Sequence, residues 1–471
     1  MIALIGLDYR YTTAEFRGRV GFPDDRLPAA LRALASVSVI DEAIILSTCN
    51  RTEVYVATEE PLAATHAVRR FLAATYSRGP ATVVPAFTTV PTTVKTADAP
   101  AMTPHPEEAP ADDDVLPSVL TQVLYEYEGT EVVRHLCKVA AGLESMVIGE
   151  AQILGQVREA LAAAEAVHSA GEELRAVFTT ALKVGKRARA ETRIGRADVS
   201  IASVAISVAE DSLGSLSGRS ALLIGAGKTS GLCGERLRER GIEEVILANR
   251  TSTTAAELAE RLHATTIPLS DLSSAISTVD LIISATAAPH HILKTADVAR
   301  GTLGRHNPLV IFDLAVPPDV EEDVGLLPAV SLHSLDMLRG IETDASATDG
   351  LDRDAEVAHM VEIVEHGVRE YVRSRTMRLA VPGIAALRRH VDHSEQAELE
   401  RALARLEHLS DEDQAVVTRF GNRLVDKMFH HLVSRIRSLA EYDEVPPDVT
   451  MRVLARLFAD PADEQSGDDE G

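Results

Sequence analysis

One cysteine of this 471-residue chain stands where it could act as a nucleophile. Cys49 ends an apolar, β-branched run in the segment "IILSTCNRTEVY" and directly precedes Asn50 and Arg51. A cationic neighbour lowers the pKa of a thiol, and the thiolate is the nucleophilic form. We therefore predict that Cys49 is a reactive, accessible thiol rather than buried packing. Cys137 and Cys233 lie in helical, apolar surroundings and are predicted to be packing residues.

A second set of residues has the spacing of a dinucleotide-binding turn. The segment "ALLIGAGKTSG" follows an apolar run and opens a helical pattern. Gly225 would make the tight turn and Gly227 would let backbone amides reach a pyrophosphate at the helix N-terminus. The alternative is a Rossmann domain that binds no nucleotide. The predicted cofactor contacts in this turn are Gly225, Ala226, Gly227, Lys228, Thr229 and Ser230.

The next predicted strand, "EEVILA", ends in Asn249, Arg250 and Thr251. A site selective for NAD usually has Asp or Glu at this place, whereas Arg250 suits the 2′-phosphate of NADP. We therefore predict that these three residues contact NADPH. A thiol and a nicotinamide together suggest an acyl thioester that is reduced by hydride. The segment "SATAAP", residues 284–289, ends another strand and is either part of the ligand site or a plain loop.

The elements that position these residues fall into three blocks. Strands and helices alternate at first, and the β-α-β pattern around Gly225 marks a second block with a buried sheet. Residues 79–117, rich in Pro, Thr, Ala and acid, are predicted to be a disordered surface insertion. The third block is helical. Pro382 is predicted to interrupt it, and a later apolar stripe through Phe420, Leu424 and Met428 predicts pairing with a second copy.

Composition excludes several classes of protein. The net charge is -24, and only 7 of the 47 basic residues are Lys, which resembles adaptation to high salt. Such a surface argues against a general nucleic-acid coat protein. Three cysteines do not make a disulfide scaffold, and no Cys/His cluster has metal-ligand spacing. The first residues lack a signal-peptide pattern and no apolar run suits a membrane helix, so we expect a cytoplasmic protein.

Five motifs, in order, carry a family resemblance: "LSTCNRTEVY", "HLCKVAAGLESMVIGEAQILGQVREA", "GAGKTS", "ANRT" and "DLAVPPDV". Together they closely resemble glutamyl-tRNA reductase, which begins the five-carbon route to tetrapyrroles. The resemblance covers nearly the whole chain except residues 79–117 and the acidic tail. It implies that Cys49 attacks the ester carbonyl of glutamyl-tRNA and releases tRNA. The thioester would then accept hydride from NADPH and leave as glutamate-1-semialdehyde.

The resemblance also implies roles for other residues near the thiol. Arg51 would hold the glutamyl side-chain carboxylate by bidentate pairing, and Glu150 could bind the α-ammonium group. His135 matches a histidine proposed to assist proton movement, although a packed helix histidine is the equal alternative. Two positions depart from the pattern: Pro318 replaces a usual Arg, and Glu144 replaces a common Asp. The implied substrate-binding residues are Thr48, Asn50, Arg51, Ser145, Glu150 and Gln156.

The implied fold is multidomain α/β plus α. It has an α+β catalytic domain at residues 1–195 and a Rossmann NADPH-binding domain at 196–340. A long spinal helix and a helical dimerisation domain follow at 350–458, and an acidic tail occupies 459–471. The resemblance further implies a V-shaped homodimer, which would pass the semialdehyde to glutamate-1-semialdehyde aminomutase.

Two basic segments are candidates for tRNA contact on this acidic chain. The alternative for each is a solvated helix face. The first comprises Lys183, Lys186, Arg187, Arg189, Arg193 and Arg196, and the second comprises Arg423, Lys427, Arg435 and Arg437. Two other functions compete with a glutamyl-tRNA reductase. One is a shikimate-dehydrogenase-like oxidoreductase acting on a free small molecule, and the other is a non-catalytic tRNA-binding dimer.

Overall fold

The computed structural model describes residues 1–78, 118–150, 152–193, 200–250, 252–305, 307–338, 353–406, 408 and 410–439. The chain divides into two compact units, Met1–Gly367 and Val368–Gly471, and each is described by itself. The predicted insertion at 79–117 and the acidic tail lie outside the described residues, as do Arg196 and Thr251. The side chains of Arg435 and Arg437 are also outside them.

The first unit begins with an antiparallel sheet of four strands in the order β2-β3-β1-β4. The strands are β1 (Ile2–Asp8), β2 (Glu42–Ser47), β3 (Arg51–Ala57) and β4 (Tyr125–Glu128). Every residue of β1 and β3 is buried; β1 is apolar up to Asp8, whereas β3 also buries Arg51, Thr52 and Glu53. Among the described residues, seven helices accompany this sheet: α1 (Ala14–Val20), α2 (Leu27–Ala35), α3 (Pro61–Arg78), α4 (Ser118–Val123), α5 (Thr130–Ala141), α6 (Gln152–Ala166) and α7 (Glu172–Glu191).

The same unit contains a parallel sheet of six strands in the order β10-β9-β8-β5-β6-β7. The strands are β5 (Ser220–Ile224), β6 (Glu244–Ala248), β7 (Thr265–Ile267), β8 (Leu281–Ser284), β9 (Leu309–Asp313) and β10 (Val330–Ser334). The helices are α8 (Ile201–Leu213), α9 (Lys228–Glu239), α10 (Ser252–Leu262), α11 (Leu272–Ile276) and α12 (Thr295–Gly301). We call this part the nucleotide lobe and the part built on the antiparallel sheet the thiol lobe.

The nucleotide lobe has the doubly wound topology that its β-α-β pattern predicts. The strand order reverses between β5 and β8, and ligands bind at such a switch point in open α/β sheets. Alternate residues of β5 face two different cores: Ala221 and Leu223 enter one, and Leu222 and Ile224 enter the other. Helices therefore cover both faces of the sheet, as an all-parallel sheet requires.

Two long helices complete the described chain, α13 (Arg353–Arg405) and α14 (Asp411–Leu439). The predicted interruption at Pro382 is wrong, because α13 continues through this residue. Proline removes one backbone donor inside a helix at a cost of about 3 kcal/mol, and the hydrogen-bonded turns on either side maintain this 53-residue helix. Among the described helices, none is long and apolar enough to cross a membrane.

Candidate active site

Cys49 lies at the tip of a tight turn between β2 and β3. The backbone N–H of Thr48 donates to the carbonyl of Arg51 at 2.8 Å. The Thr48 hydroxyl accepts from the backbone N–H groups of Asn50 and Arg51, at 3.1 and 3.2 Å. These bonds fold the turn on itself and leave the Cys49 side chain exposed. Cys137 and Cys233 are buried, which confirms that they are packing residues.

The environment of the Cys49 thiol differs from the sequence prediction. Protein surrounding the turn desolvates the thiolate, and the charge of Glu150 adds to this, so the pKa of Cys49 rises to about 12. Arg17 and Arg51 act in the opposite direction, but their effect is smaller. Arg51 does lower the thiol pKa as predicted, but burial and Glu150 outweigh it, so the net shift is upward. The thiol is accessible, and its surroundings favour the protonated form.

A buried carboxylate, Glu53, organises the floor beneath the turn. It lies on β3 two residues after Arg51, so both side chains face the same side of the strand. It is fully buried and accepts hydrogen bonds from four side chains. The donors are Arg51 Nη1 at 2.8 Å, Tyr55 at 2.5 Å, Tyr125 at 2.6 Å and His135 Nε2 at 2.8 Å. We call Glu53 and these four residues the Glu53 cluster.

The Glu53 cluster is held together by charge. Burial alone would raise the pKa of Glu53, but Arg51 and His135 hold that pKa well below its ordinary value. Burial and the Glu53 charge raise the pKa of Tyr55 and Tyr125 well above the ordinary value of a phenol. The carboxylate is therefore ionised, and both phenols remain donors to it.

Arg51 contacts protein groups where the sequence predicted a substrate contact. Its side chain is 1% exposed, with Nη1 on Glu53 and Nη2 donating to the backbone carbonyl of Glu144. Each terminal nitrogen thus uses one of its two N–H donors on a protein acceptor. Its Nε is buried and has no hydrogen-bond partner among the described residues. A direct role of Arg51 in substrate binding stays a prediction.

His135 belongs to the Glu53 cluster rather than to the surface of the turn. It is 5% exposed, and its ring stacks on that of Tyr127 at a centroid distance of 4.9 Å. Its Nε2 is engaged by Glu53. These contacts favour the packed-histidine alternative, and proton movement by His135 stays a prediction.

A glycine-bounded loop brings Ser145 and Glu150 to the site. Gly142 and Gly149 have φ angles of +81° and +86°, and the N–H of Gly149 donates to the Gly142 carbonyl at 3.1 Å. A Cβ on Gly142 would lie 3.1 Å from the Gly149 backbone, so only glycine fits this closure. Ser145 is buried, and its carbonyl accepts from the Tyr9 hydroxyl at 3.2 Å.

Glu150, at the end of this loop, is buried and interacts electrostatically with both Cys49 and Arg51. Burial raises its pKa to about 7, although Arg51 lowers it. Its backbone carbonyl accepts from Arg189 Nη2 at 3.3 Å. Arg189, from the first candidate tRNA-binding segment, thus contacts the backbone of the thiol site, and tRNA contact by this residue stays a prediction.

Four buried polar atoms on the turn, on β3 directly after it and at the start of α6 lack hydrogen-bond partners among the described residues: Asn50 Oδ1, Arg51 Nε, Thr52 Oγ1 and Gln152 Nε2. Buried polar atoms are normally paired, so unpartnered ones beside an exposed thiol are candidates to contact a polar ligand. Asn50 was predicted from the sequence, whereas Gln152 was missed. Gln152 begins α6, and the predicted Gln156 is half-buried one turn later on the same face.

The predicted cofactor turn lies at the switch point of the parallel sheet. Gly225 follows β5 with a φ of +99°, and a Cβ there would come within 2.6 Å of the Ala285 carbonyl oxygen. Gly227 caps α9, and the position of its missing Cβ faces open space. Ser230 Oγ is buried without a hydrogen-bond partner among the described residues. The turn therefore fits a diphosphate at the helix N-terminus.

The remaining predicted cofactor residues surround this turn. Ala226 and Thr229 are half-buried, and Lys228 is exposed with its Nζ 2.7 Å from Glu159 of α6. Asn249 and Arg250 directly follow β6, and Arg250 is exposed. Within the described chain, no group of His, Cys, Asp or Glu could hold a metal ion.

Asp319, from the "DLAVPPDV" motif, ties the loop after β8 to the loop after β9. It accepts from the Ser284 hydroxyl at 2.6 Å, and from the Thr286 N–H and hydroxyl at 2.9 and 2.5 Å. Asp313 accepts from the backbone N–H groups of Asp319 and Val320, and burial raises its pKa to about 6. The "SATAAP" segment is therefore a fixed loop beside the cofactor turn.

The first basic segment does not form one free positive face. Lys183 and Lys186 are exposed on α7, whereas Arg187 pairs with Glu191 at 3.0 Å. Arg193 is exposed, and its backbone N–H donates to Glu356 at 2.7 Å. In the second segment, Arg423 and Lys427 are exposed on α14.

Comparisons with known proteins give one family for both ends of the chain. Residues 5–192 match the glutamyl-tRNAGlu reductase N-terminal domain, and residues 359–460 match the dimerisation domain of that enzyme. Residues 207–341 match the shikimate/quinate 5-dehydrogenase family. The chain is 35% identical over 442 residues to a glutamyl-tRNA reductase of Pelotomaculum thermopropionicum, covering 93% of this chain and 90% of that protein.

Two further relatives span nearly the full length. A glutamyl-tRNA reductase of Chloroflexus aurantiacus is 36% identical, covering 97% of this chain and 98% of that protein. A solved structure of glutamyl-tRNA reductase from Methanopyrus kandleri is 27% identical, with a TM-score of 0.45 and coverage of 97% and 98% of the two chains.

Proposed function

The chain belongs to the glutamyl-tRNA reductase family, and on this premise we propose that it reduces the glutamyl group of glutamyl-tRNA to glutamate-1-semialdehyde, the first step of tetrapyrrole synthesis. One observation carries the proposal. An exposed thiol stands at the tip of a hydrogen-bonded turn, among buried polar atoms without partners, in the same compact unit as a dinucleotide-type fold.

The first chemical step is proposed to be acyl transfer to sulfur. The Sγ of Cys49 attacks the ester carbonyl carbon, and the bond between that carbon and the ribose oxygen breaks. The thiol proton leaves with the departing tRNA hydroxyl, so the products are a glutamyl thioester and free tRNA. Because burial raises the pKa of Cys49, a base is proposed to take the thiol proton as the sulfur attacks.

Glu150 is the carboxylate that supports this proton transfer. It is buried, lies within electrostatic reach of Cys49, and has a pKa of about 7, close to that expected of a general base at neutral pH. Binding the substrate's α-ammonium group is its alternative role, and both roles use the ionised form. Polar groups for the rest of the glutamyl unit are proposed to come from Thr48, Asn50, Ser145, Gln152 and Gln156.

The nucleotide lobe is proposed to hold a nicotinamide cofactor. Gly225, Gly227 and the N-terminus of α9 would bind its diphosphate, and exposed Arg250 would favour the 2′-phosphate of NADPH over NADH. When bound, the reduced nicotinamide supplies the hydride that turns the thioester into an aldehyde. The chain's own groups then release the product as the carbon–sulfur bond breaks and Cys49 regains a proton.

Dimer formation is proposed to use α14. Val416, Phe420, Leu424 and Met428 recur every four residues, and their side chains are 53%, 67%, 47% and 67% exposed. Such a stripe on one helix face is typical of an interface. The match to a dimerisation domain over residues 359–460 supports a homodimer. Transfer of the aldehyde to glutamate-1-semialdehyde aminomutase stays a proposal, which co-sedimentation of the two purified proteins tests.

Contact with tRNA is proposed for Lys183 and Lys186, the exposed lysines of α7. Phosphate contacts by lysine make binding weaken as salt rises. Replacing both residues by Glu should lower tRNA affinity at moderate salt. Unchanged affinity would show that these two lysines do not contact tRNA, and Arg423 and Lys427 of α14 would be the next candidates.

The acyl-transfer proposal is tested without a nicotinamide cofactor. Wild-type protein mixed with glutamyl-tRNA should carry a glutamyl mass on the peptide that contains Cys49, read by mass spectrometry at acidic pH. Cys49→Ser should lose this adduct, and Cys233→Ala, which changes a buried thiol, should retain it. Full reductase activity of Cys49→Ser would overturn the thioester route.

The same variant separates the competing functions. A shikimate-dehydrogenase-like enzyme acting on a free small molecule has no need of Cys49, and the match to that family covers only residues 207–341. A non-catalytic tRNA-binding dimer would oxidise no NADPH when glutamyl-tRNA is added. The matched N-terminal domain and the built thiol site favour the reductase over both.

A further inference from the structure

A buried arginine joins the reactive turn to the nucleotide lobe. Arg17 of α1 is 1% exposed, and each nitrogen of its guanidinium has one acceptor. Nε donates to the backbone carbonyl of Cys49 at 2.8 Å, and Nη1 donates to the carbonyl of Thr12 at 2.6 Å. Nη2 donates to the carboxylate of Asp336 at 2.9 Å. Arg17 therefore contacts the backbone of the nucleophilic residue itself.

Asp336 belongs to the opposite lobe. It follows β10, the edge strand of the parallel sheet, and its side chain is 36% exposed. One carboxylate oxygen accepts from Arg17, and the other accepts from the backbone N–H of Ala14 at 2.8 Å. Both oxygens thus hold α1, which belongs to the thiol lobe.

The seam around this ion pair is closely packed. A Cβ on Gly18 would lie within 2.6 Å of the Pro317 side chain, so α1 rests directly on the loop that follows β9. Met146 and Val147, from the loop that carries Ser145, pack against the core of the nucleotide lobe. The two lobes therefore meet at the reactive turn, and the Arg17–Asp336 pair is a partly buried charged link within that seam.

We propose that Arg17 and Asp336 are a positioning pair that holds the Cys49 turn against the nucleotide lobe, so that the acylated thiol is presented for reduction rather than left to water. The inference rests on the proposed function and deepens it. The pair acts through the Cys49 carbonyl and touches neither the sulfur nor the substrate.

Two fates of the thioester make this role measurable. In reduction, the carbonyl carbon gains a hydride, the carbon–sulfur bond breaks, the sulfur takes a proton, and the aldehyde leaves. In hydrolysis, water adds to the same carbon, the same bond breaks, and free glutamate leaves with the thiol restored. Only reduction requires the turn to face the nucleotide lobe, and misplacing reacting groups by about 1 Å can cost about 100-fold in rate.

Arg17 has a second effect that the test must separate from positioning. Its charge lowers the pKa of the Cys49 thiol against the raising effects of burial and Glu150. Removing Arg17 therefore changes thiol reactivity as well as the seam. Asp336 contacts Arg17 but not the turn, so substitutions of Asp336 isolate the positioning role.

The experiment uses the full-length enzyme with glutamyl-tRNA and compares Asp336→Asn, Asp336→Ala and Arg17→Lys with wild type. The control is Asp323→Asn, an exposed acid on the same lobe. The ratio of semialdehyde to free glutamate, measured in one turnover with NADPH, should fall at least about 10-fold in both Asp336 variants. The control should keep the wild-type ratio.

Two cofactor-free readouts complete the design. The pH profile of iodoacetamide labelling at Cys49 should shift upward in Arg17→Lys, because a cation moves away from the turn, and shift less in Asp336→Asn. Thioester mass on Cys49 without NADPH should form in every variant. A wild-type ratio of semialdehyde to glutamate in both Asp336 variants would overturn the positioning pair. Absence of any thioester in wild type would instead overturn the proposed function.

Discussion

Replacing Glu53 by Gln should destabilise the thiol lobe far more than its loss of one charge suggests. The carboxylate is fully buried and accepts from Arg51, Tyr55, Tyr125 and His135 at 2.5–2.8 Å. Gln retains the shape but leaves the Arg51 guanidinium as an uncompensated buried cation. Breaking a buried pair in this way costs about 3–5 kcal/mol. We expect the free energy of local opening around β3 to fall by that amount.

Hydrogen exchange with mass spectrometry measures this quantity in the full chain, since each peptide reports its own opening free energy. The matched control is Glu126→Gln on β4, whose partner Arg69 lies 2.5 Å away with both side chains about one-third exposed. An exposed pair of this kind contributes about 0–1 kcal/mol. The double variant Arg51→Met/Glu53→Gln buries neither charge, so its cost should be smaller than the sum of the two single costs.

The Glu53 cluster also predicts a direction for the pH dependence. The folded pKa of Glu53 lies below its unfolded value, so folding favours the ionised form. Its contribution is fully present above the unfolded pKa, about 4.3, and is lost as pH falls from there through the folded value. Wild-type β3 should therefore lose protection in acid more steeply than Glu53→Gln. A Glu53→Gln cost no larger than that of Glu126→Gln would refute the reasoning.

Three further predictions concern the site and the assembly. Glu150→Gln should lower the pKa of Cys49, because Glu150 raises it, so the pH profile of iodoacetamide labelling should shift to lower pH. The control Glu159→Gln, an acid that does not act on the thiol pKa, should leave the labelling profile unchanged. Phe420→Asp on α14 should convert dimer to monomer in light scattering, whereas Arg423→Asp should leave the dimer if the apolar stripe is the interface. Arg250→Ala should raise KM for NADPH about 10-fold and leave KM for NADH within about twofold, and equal effects on both would contradict the 2′-phosphate contact.

The elements that carry the site were predictable because their signals are local. The run before Cys49 and the run before Gly225 are strands because apolar, β-branched segments bounded by turn residues have few other solutions. The glycine turn at the switch point was predictable because each glycine has a local reason. Gly225 has a positive φ, and Gly227 has open space where a Cβ would lie. Such features are fixed by a residue and its immediate neighbours.

The missed features depend on contacts between distant segments. The thiol pKa is set by burial and by Glu150, which is 101 positions away from Cys49 in the numbering, rather than by adjacent Arg51. Glu53 was overlooked, although an acid two residues from an arginine in an apolar strand indicates a buried pair. Gln152 gave no signal of its own, because its significance lies in an amide nitrogen that lacks a partner in the folded chain.

The unequal exposure of the three cysteines determines which of them can react with an oxidant. Cys49 is open, while Cys137 and Cys233 are sealed in packing, so a sulfenic acid formed at position 49 has no resolving thiol of its own chain within reach. Damage would stop at one position, and an external thiol such as glutathione would have to repair it. The same difference in exposure should allow selective labelling, since a maleimide dye applied to the native protein should react with Cys49 and not with Cys137 or Cys233.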